Sequence, residues 1–230
     1  MKRNRRLYPL LYDASYLHLT DMRKVISKFA SEASGVIIDY GAGSKPYQCL
    51  FPSTVRYRGA DFCAGGPDDI LIKETTRLPV EDACANWVVS FQVLEHVEDP
   101  LVFLKECRRA LRQGGILLLS THGIWPYHPG EMNGDYYRWT GDGLALLVQK
   151  AGFANLEIVP ATTGWRAIFQ QALVMKDPAR HTRPWLLKQF KRLVNLAVNI
   201  IGEAIDPICK KHNAQSDIVP IAYIVKATAA

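Results

Sequence analysis

The run Ile37-Ile38-Asp39-Tyr40-Gly41-Ala42-Gly43-Ser44-Lys45, followed by the acid Asp61, is the part of this sequence best suited to chemistry. Glycines at 41 and 43 let the backbone turn tightly and approach a ligand where a Cβ would collide. An acid ending the next strand accepts hydrogen bonds from ribose hydroxyls. The pattern points to a nucleoside-containing ligand, and two details narrow it. The third glycine of a dinucleotide fingerprint would fall near Tyr47 or Gln48, and neither is Gly. Asp39, at the head of the loop, would repel a pyrophosphate and attract an ammonium group.

S-adenosylmethionine, with its α-amino cation and sulfonium, therefore fits better than a nicotinamide dinucleotide. A methyl group on sulfonium is already activated. The protein needs to align the nucleophile, exclude water and remove a proton if the acceptor is a hydroxyl. Histidine is the natural base near neutral pH. His96, His122 and His128 all fall at or after the carboxyl ends of predicted strands, where ligands of such sheets bind. The stretch from His122 to Thr140 is loop-like and rich in aromatic residues, with Trp125, Tyr127, Tyr136, Tyr137, Arg138 and Trp139. It offers flat walls and hydroxyls for a small acceptor such as a sugar. The alternative is a plug whose end merely caps the helix starting near Gly141. The three histidines with Glu131 and Asp135 match no closed ligand spacing, so no metal is expected.

These residues must be held by a sheet. Short apolar, β-branched runs predict strands at 35–40, 55–60, 70–73, 87–90, 116–120, 156–160 and 218–226. Helical spacing appears at 15–34 (Leu19, Met22, Ile26, Phe29), at 100–111 with Gly114-Gly115 as its stop, and at 144–151 before Gly152. Buried strands alternating with helices predict an α/β, doubly wound, Rossmann-like sheet. A further helix, 185–205, carries Leu186, Phe190, Leu193, Ala197, Ile201 and Ile205 on one face, with Lys188, Lys191 and Arg192 off it, between Pro184 and Pro207. It suits packing on its own domain, a lid, or a helix lying on a membrane.

The chain reads as one unit: an N-terminal helical cap (1–34), a cofactor-binding core (35–162), a helical insertion or lid (163–217) and a last strand (218–230). Its 230 residues bury a full core, and 48% apolar with 22% charged residues excludes a disordered or fibrous chain. Lys and Arg outnumber Asp and Glu by 7 to 3 in residues 1–34 and 10 to 4 in 163–230, but are outnumbered 11 to 15 between them. An acidic centre suits a cationic cofactor, and basic flanks suit an anionic acceptor or a phospholipid surface. The cations form no dense stripe, which argues against nucleic acid. Five scattered cysteines without a CxxC pair predict free thiols in the cytoplasm. The basic start is followed by a segment broken at Pro9, Asp13 and His18, unlike a secretory signal.

In these motifs the sequence resembles the class I S-adenosylmethionine-dependent methyltransferases, of the broad kind close to the ubiquinone-type enzymes. The matches are Ile-Ile-Asp-Tyr-Gly-Ala-Gly, Tyr57-Arg-Gly-Ala-Asp61, Thr76-Arg-Leu-Pro-Val-Glu-Asp, Phe91-Gln-Val-Leu-Glu-His-Val-Glu-Asp-Pro and Leu111-Arg-Gln-Gly-Gly-Ile-Leu-Leu-Leu-Ser. The resemblance implies a seven-stranded sheet with its last strand antiparallel. It also implies that Gly41, Ala42 and Gly43 cradle the methionine moiety, that Asp39 faces its amino group, and that Asp61 holds the ribose with Phe62 beside the adenine. Glu74 and Thr75 would lie at the adenine edge and Gln92 beneath the sulfonium. Lys45 and Asn86 stand where many members have Gly and Asp. The expected activity is methyl transfer, foremost to an oxygen of a small or lipid-linked acceptor such as a sugar. N- or C-methylation of a secondary metabolite, an NAD(P)-dependent oxidoreductase and a non-catalytic cofactor-binding partner are the alternatives.

Overall fold

Successive apolar residues of a strand face opposite sides of a sheet, and the pairs Ile37-Ile38 and Val88-Val89 use both. In the computed structural model, which describes residues 4–63, 65–129, 134–175, 184–212 (backbone alone for 206–212) and 220–230, these pairs line two cores. Ile38, Val88, Leu117 and Leu119 pack against Phe103, Leu104, Leu144 and Val148, while Ile37, Val89 and Leu118 pack against Met22, Ile26 and Phe29. Burial on both faces explains why these strands read as continuous apolar runs.

The sheet holds β1 (Val36–Tyr40), β2 (Arg56–Asp61), β3 (Ile70–Leu71), β4 (Ala85–Phe91), β5 (Leu111–His122), β6 (Phe153–Ala161) and β7 (Ala222–Ala229). Their order is β3-β2-β1-β4-β5-β7-β6, and β7 runs antiparallel to both neighbours. The strand order reverses between β1 and β4, so the crevice at their carboxyl ends is where this architecture binds ligands.

Helices α1 (Tyr16–Ala30), α2 (Pro100–Ala110), α3 (Gly141–Lys150), α4 (Gly164–Val174) and α5 (Trp185–His212) cover the sheet. Asp99 accepts from Val102 N at 3.0 Å and Pro100 follows it, an N-cap and a proline in the first turn. Three expectations change. The helix before β5 ends at Ala110, and Gly114-Gly115 lies inside β5 rather than stopping it; Gly114 has φ +74°, and the β4–β5 register shifts nearby. Helix α4 was not anticipated. Helix α5 continues through Pro207.

Helix α5 also docks by the face opposite its apolar stripe. Asn195 Nδ2 donates to Tyr12 O (3.0 Å) and Asn199 Nδ2 to Leu11 O (2.7 Å) and Asp13 O (3.1 Å). Gly202 presses so closely on Leu17 that a Cβ there would come within 2.9 Å of it. Leu186, Phe190, Leu193 and Ile201 face outward. The insertion is anchored instead by Arg166 of α4, which donates to both oxygens of Asp21 on α1 (3.1 and 2.8 Å) and to Gly202 O (3.0 Å).

Candidate active site

The crevice begins where β1 ends. Gly41 (φ +82°) and Gly43 (φ +50°) turn the chain in a conformation that L side chains rarely adopt. A Cβ on Gly41 would strike Val93 at 2.4 Å, whereas one on Gly43 would meet nothing within 4 Å and would project into the open crevice. Asp61, at the end of β2, accepts from Gly43 N (2.6 Å) and Phe62 N (2.7 Å), which places its carboxylate at the rim. Asp39 lies below, buried, and accepts from Tyr57 Oη at 2.6 Å. Burial pushes its pKa up to about 7 against the hydrogen bond from Tyr57.

A pocket here is lined by Arg6, Asp39, Gly41, Ala42, Gly43 and Tyr47, among others. Arg6 had no role in the sequence reading, because nothing local predicts that the N-terminal segment returns to the end of β1. Its cation opposite Asp39 gives the pocket both charges needed by an amino acid zwitterion. The two departures from the family pattern are structural. Lys45 Nζ holds Asp69 Oδ1 at 2.5 Å, and Asn86 Oδ1 accepts from Val36 N at 2.9 Å. Tyr47 is buried edge-on against Phe91 and forms a wall of the pocket.

Gln92 follows β4 with φ +59° and reaches Ser120 Oγ of β5 through Nε2 (3.3 Å). Phe62 packs on the core beside β2. Glu74 is exposed and Thr75 half-buried; Tyr40 Oη donates to Thr75 O at 2.7 Å, which fixes that edge of the crevice.

Beyond Gln92 the rings of several histidines pack into a cluster. His122, the last residue of β5, stacks on Trp125 (4.9 Å, 7°), and its ring lies 5.0 Å from that of His128. The His96 ring is 4.9 Å from that of His128. Two residues of this cluster were missed. His18 of α1 is buried 4.8 Å from Trp125, and burial drives its pKa down to about 3. Glu95 is fully buried, with Oε1 3.3 Å from His122 Nε2. Burial holds the Glu95 carboxyl above its usual range and the His122 imidazole well below its own. His18 could be recognised only once α1 was packed on the sheet, and Glu95 lay inside the family motif from Phe91 with no role attached to it.

The aromatic loop divides. Trp125 packs into the imidazole cluster. Arg138 chelates Asp135 (2.6 Å to each oxygen) and donates to Trp125 O and Pro126 O, so it shapes the loop. Although burial alone would raise it, these hydrogen bonds hold the Asp135 carboxyl down at about 2. Tyr136 and Tyr137 turn their hydroxyls to Glu98, and Trp139 packs on the core under Tyr137. Tyr127 is exposed. Thr140 caps α3 by accepting from Gly143 N. Glu131 lies outside the described residues.

Residues 49–119 match the family model described as a methyltransferase domain. A Mycolicibacterium smegmatis protein named "Probable S-adenosylmethionine-dependent methyltransferase" is 35% identical over 130 residues, 55% of this chain and 48% of that protein. A structure titled as a SAM-dependent methyltransferase from Archaeoglobus fulgidus superposes with TM-score 0.57 at 11% identity, over 98% of this chain and 97% of that one. The chain is thus similar to S-adenosylmethionine-dependent methyltransferases in its domain match, its relatives and its fold.

The Haemonchus contortus phosphoethanolamine N-methyltransferase 2, in a structure with S-adenosyl-L-methionine, shares the methyltransferase fold at TM-score 0.55 and 14% identity, over 99% of this chain and 60% of that one. This chain spans about half the length of the Mycolicibacterium relative. Its own residues fit the methyltransferase cofactor: an open glycine cradle at Gly43, a buried acid and a cation at one end, and a ribose acceptor at the rim.

Proposed function

We propose that this chain methylates a hydroxyl of a small or lipid-linked acceptor, a sugar hydroxyl foremost, with S-adenosylmethionine as donor. When bound, the cofactor supplies an activated methyl group. Asp61 holds its ribose, Asp39 its amino group and Arg6 its carboxylate, while Gly41 to Gly43 give the backbone room. One observation carries the choice of oxygen: a cluster of imidazoles lies next to Gln92. An amine needs no strong base once deprotonated, whereas a hydroxyl must lose its proton as it attacks.

His128 is placed best as that base. Its Nδ1 lies 3.0 Å from Pro126 O, and a carbonyl can only accept, so the proton sits on Nδ1 and Nε2 keeps its lone pair. Burial lowers its pKa against the pull of Asp135, which leaves it neutral at pH 7. Its side chain is 30% exposed and can meet an acceptor, whereas His122 is nearly closed off. A screen with labelled donor over sugar nucleotides and glycolipids tests this. O-methyl products are expected, and His128→Ala should lower turnover about 10²-fold or more while leaving binding of the demethylated cofactor intact. Products methylated on nitrogen or carbon would overturn the choice of oxygen.

The outward apolar face of α5 favours an acceptor presented at a lipid surface. Phe190 and Leu193 are 65% and 62% exposed, Trp165 and Ile168 of the neighbouring α4 extend the patch, and the cations Lys188 and Arg192 flank it. That is the pattern of a helix lying in an anionic interface. No described helix is long and apolar enough to cross a membrane. The proposed location, favoured by the scattered free thiols and the apolar patch, is the cytoplasm, peripheral at the inner membrane face.

A further inference from the structure

His96, His122 and His128 come from three separate segments, yet the fold gathers them around one buried carboxylate. One donor atom each from Glu95, His122 and His128 lie within 4.8 Å of one another, and so do those of His96, His128 and Asp135. Hydrogen bonds set the free ends of these side chains. His96 Nδ1 meets Gly134 O at 2.7 Å and His128 Nδ1 meets Pro126 O, so on both rings Nε2 carries the lone pair. Thr121 Oγ1 donates to Glu95 Oε2 at 2.9 Å, which leaves Oε1 for another partner. Oε1 is buried and has no hydrogen bond; His122 Nε2 is 3.3 Å away without the geometry of one.

A fully buried carboxylate oxygen without a hydrogen bond is costly, and such groups ordinarily pair or hold a metal. Two imidazole nitrogens and one carboxylate oxygen are a Zn²⁺-type donor set. Bonds of about 2.1 Å at tetrahedral angles separate neighbouring donor atoms by about 3.4 Å, close to the 3.3 Å between Glu95 and His122. The backbone carbonyl on His128 Nδ1 and the hydroxyl on Glu95 are the kind of outer partners that orient metal ligands. His122 is oriented by its stack on Trp125 instead.

We propose that Glu95, His122 and His128 bind a divalent transition-metal ion of the Zn²⁺ type, with a fourth position left for a further ligand. The spacing of these residues in sequence resembles no metal motif because the ligands meet only through the β4–β5 pairing and the loop after β5. The site stands on these side chains and not on the methyl-transfer reading. If that reading holds, the ion would acidify an acceptor hydroxyl and replace His128 as its activator.

The test uses the untagged chain, stripped with a chelator and titrated with Co²⁺ alone. One equivalent should bind, with the intense visible absorption of four-coordinate cobalt, and Zn²⁺ should displace it. Glu95→Gln and His128→Ala should each weaken Co²⁺ binding at least tenfold. His128 is half-buried, so its variant keeps the test valid if Glu95→Gln fails to fold. No stoichiometric binding, or binding unchanged in His128→Ala, would overturn the site. Binding of the demethylated cofactor by the stripped chain, measured in parallel, decides the methyltransferase reading separately.

Discussion

Burial leaves the Asp39 carboxyl half-protonated near neutrality, and only its ionised form attracts an ammonium group. Below about pH 7 the acid is neutral and contributes no charge; above it the carboxylate is formed. Affinity for the demethylated cofactor should therefore rise between pH 6 and pH 8. Calorimetry in buffers of different ionisation enthalpy should show a proton released on binding at pH 6.5, and an affinity that falls over this range would refute the assignment. Asp61 makes two short hydrogen bonds to the cofactor loop and its neighbour. Asp61→Ala should weaken the same ligand by roughly 1–3 kcal/mol, seen in the same titration. Arg6→Ala should weaken S-adenosylmethionine at least tenfold but leave methylthioadenosine, which lacks the carboxylate, unchanged. Equal losses for both would place Arg6 elsewhere in the site.

At the scale of elements, the insertion hangs on one buried guanidinium. Arg166 is 5% exposed and bridges α1 and α5 from its seat on α4. Removing it strands the largely buried Asp21, so Arg166→Ala should cost about 3 kcal/mol, read as a lower urea midpoint. An exposed, single-contact ion pair such as Lys28 with Glu157 (3.6 Å) should cost well under 1 kcal/mol. Helix α5 shows why an amphipathic pattern does not say which face is inward. Its asparagines satisfy the exposed carbonyls of residues 11–13, which no apolar side chain can do, and so the polar side becomes the docking side.

At the scale of the whole molecule, the outward patch on α4 and α5 and its flanking cations predict salt-sensitive attachment to anionic vesicles. The chain should float with such liposomes at low salt and not with neutral ones. Phe190→Asp with Leu193→Asp should abolish flotation without changing the melting temperature by more than a few degrees, since both side chains already face solvent. Flotation that survives the double substitution would mean that α5 is not the contact.

The strands, their alternation with helices and the glycine–acid cofactor loop were legible in the sequence because each is written in residues that are neighbours along the chain: β-branched runs, helical spacing, a turn that needs φ > 0. The same locality singled out Asp39 and Asp61 as candidates for the cofactor site. Tertiary structure alone decided what depends on distant segments meeting. It brought Arg6 to the pocket beside Asp39 and His18 to the imidazole cluster, turned Tyr137 and Trp139 away from that cluster, and set Glu95 among three imidazoles. It also turned α5 inside out, because unpaired backbone carbonyls in another segment outcompeted its apolar face for contact, a competition that no local pattern records.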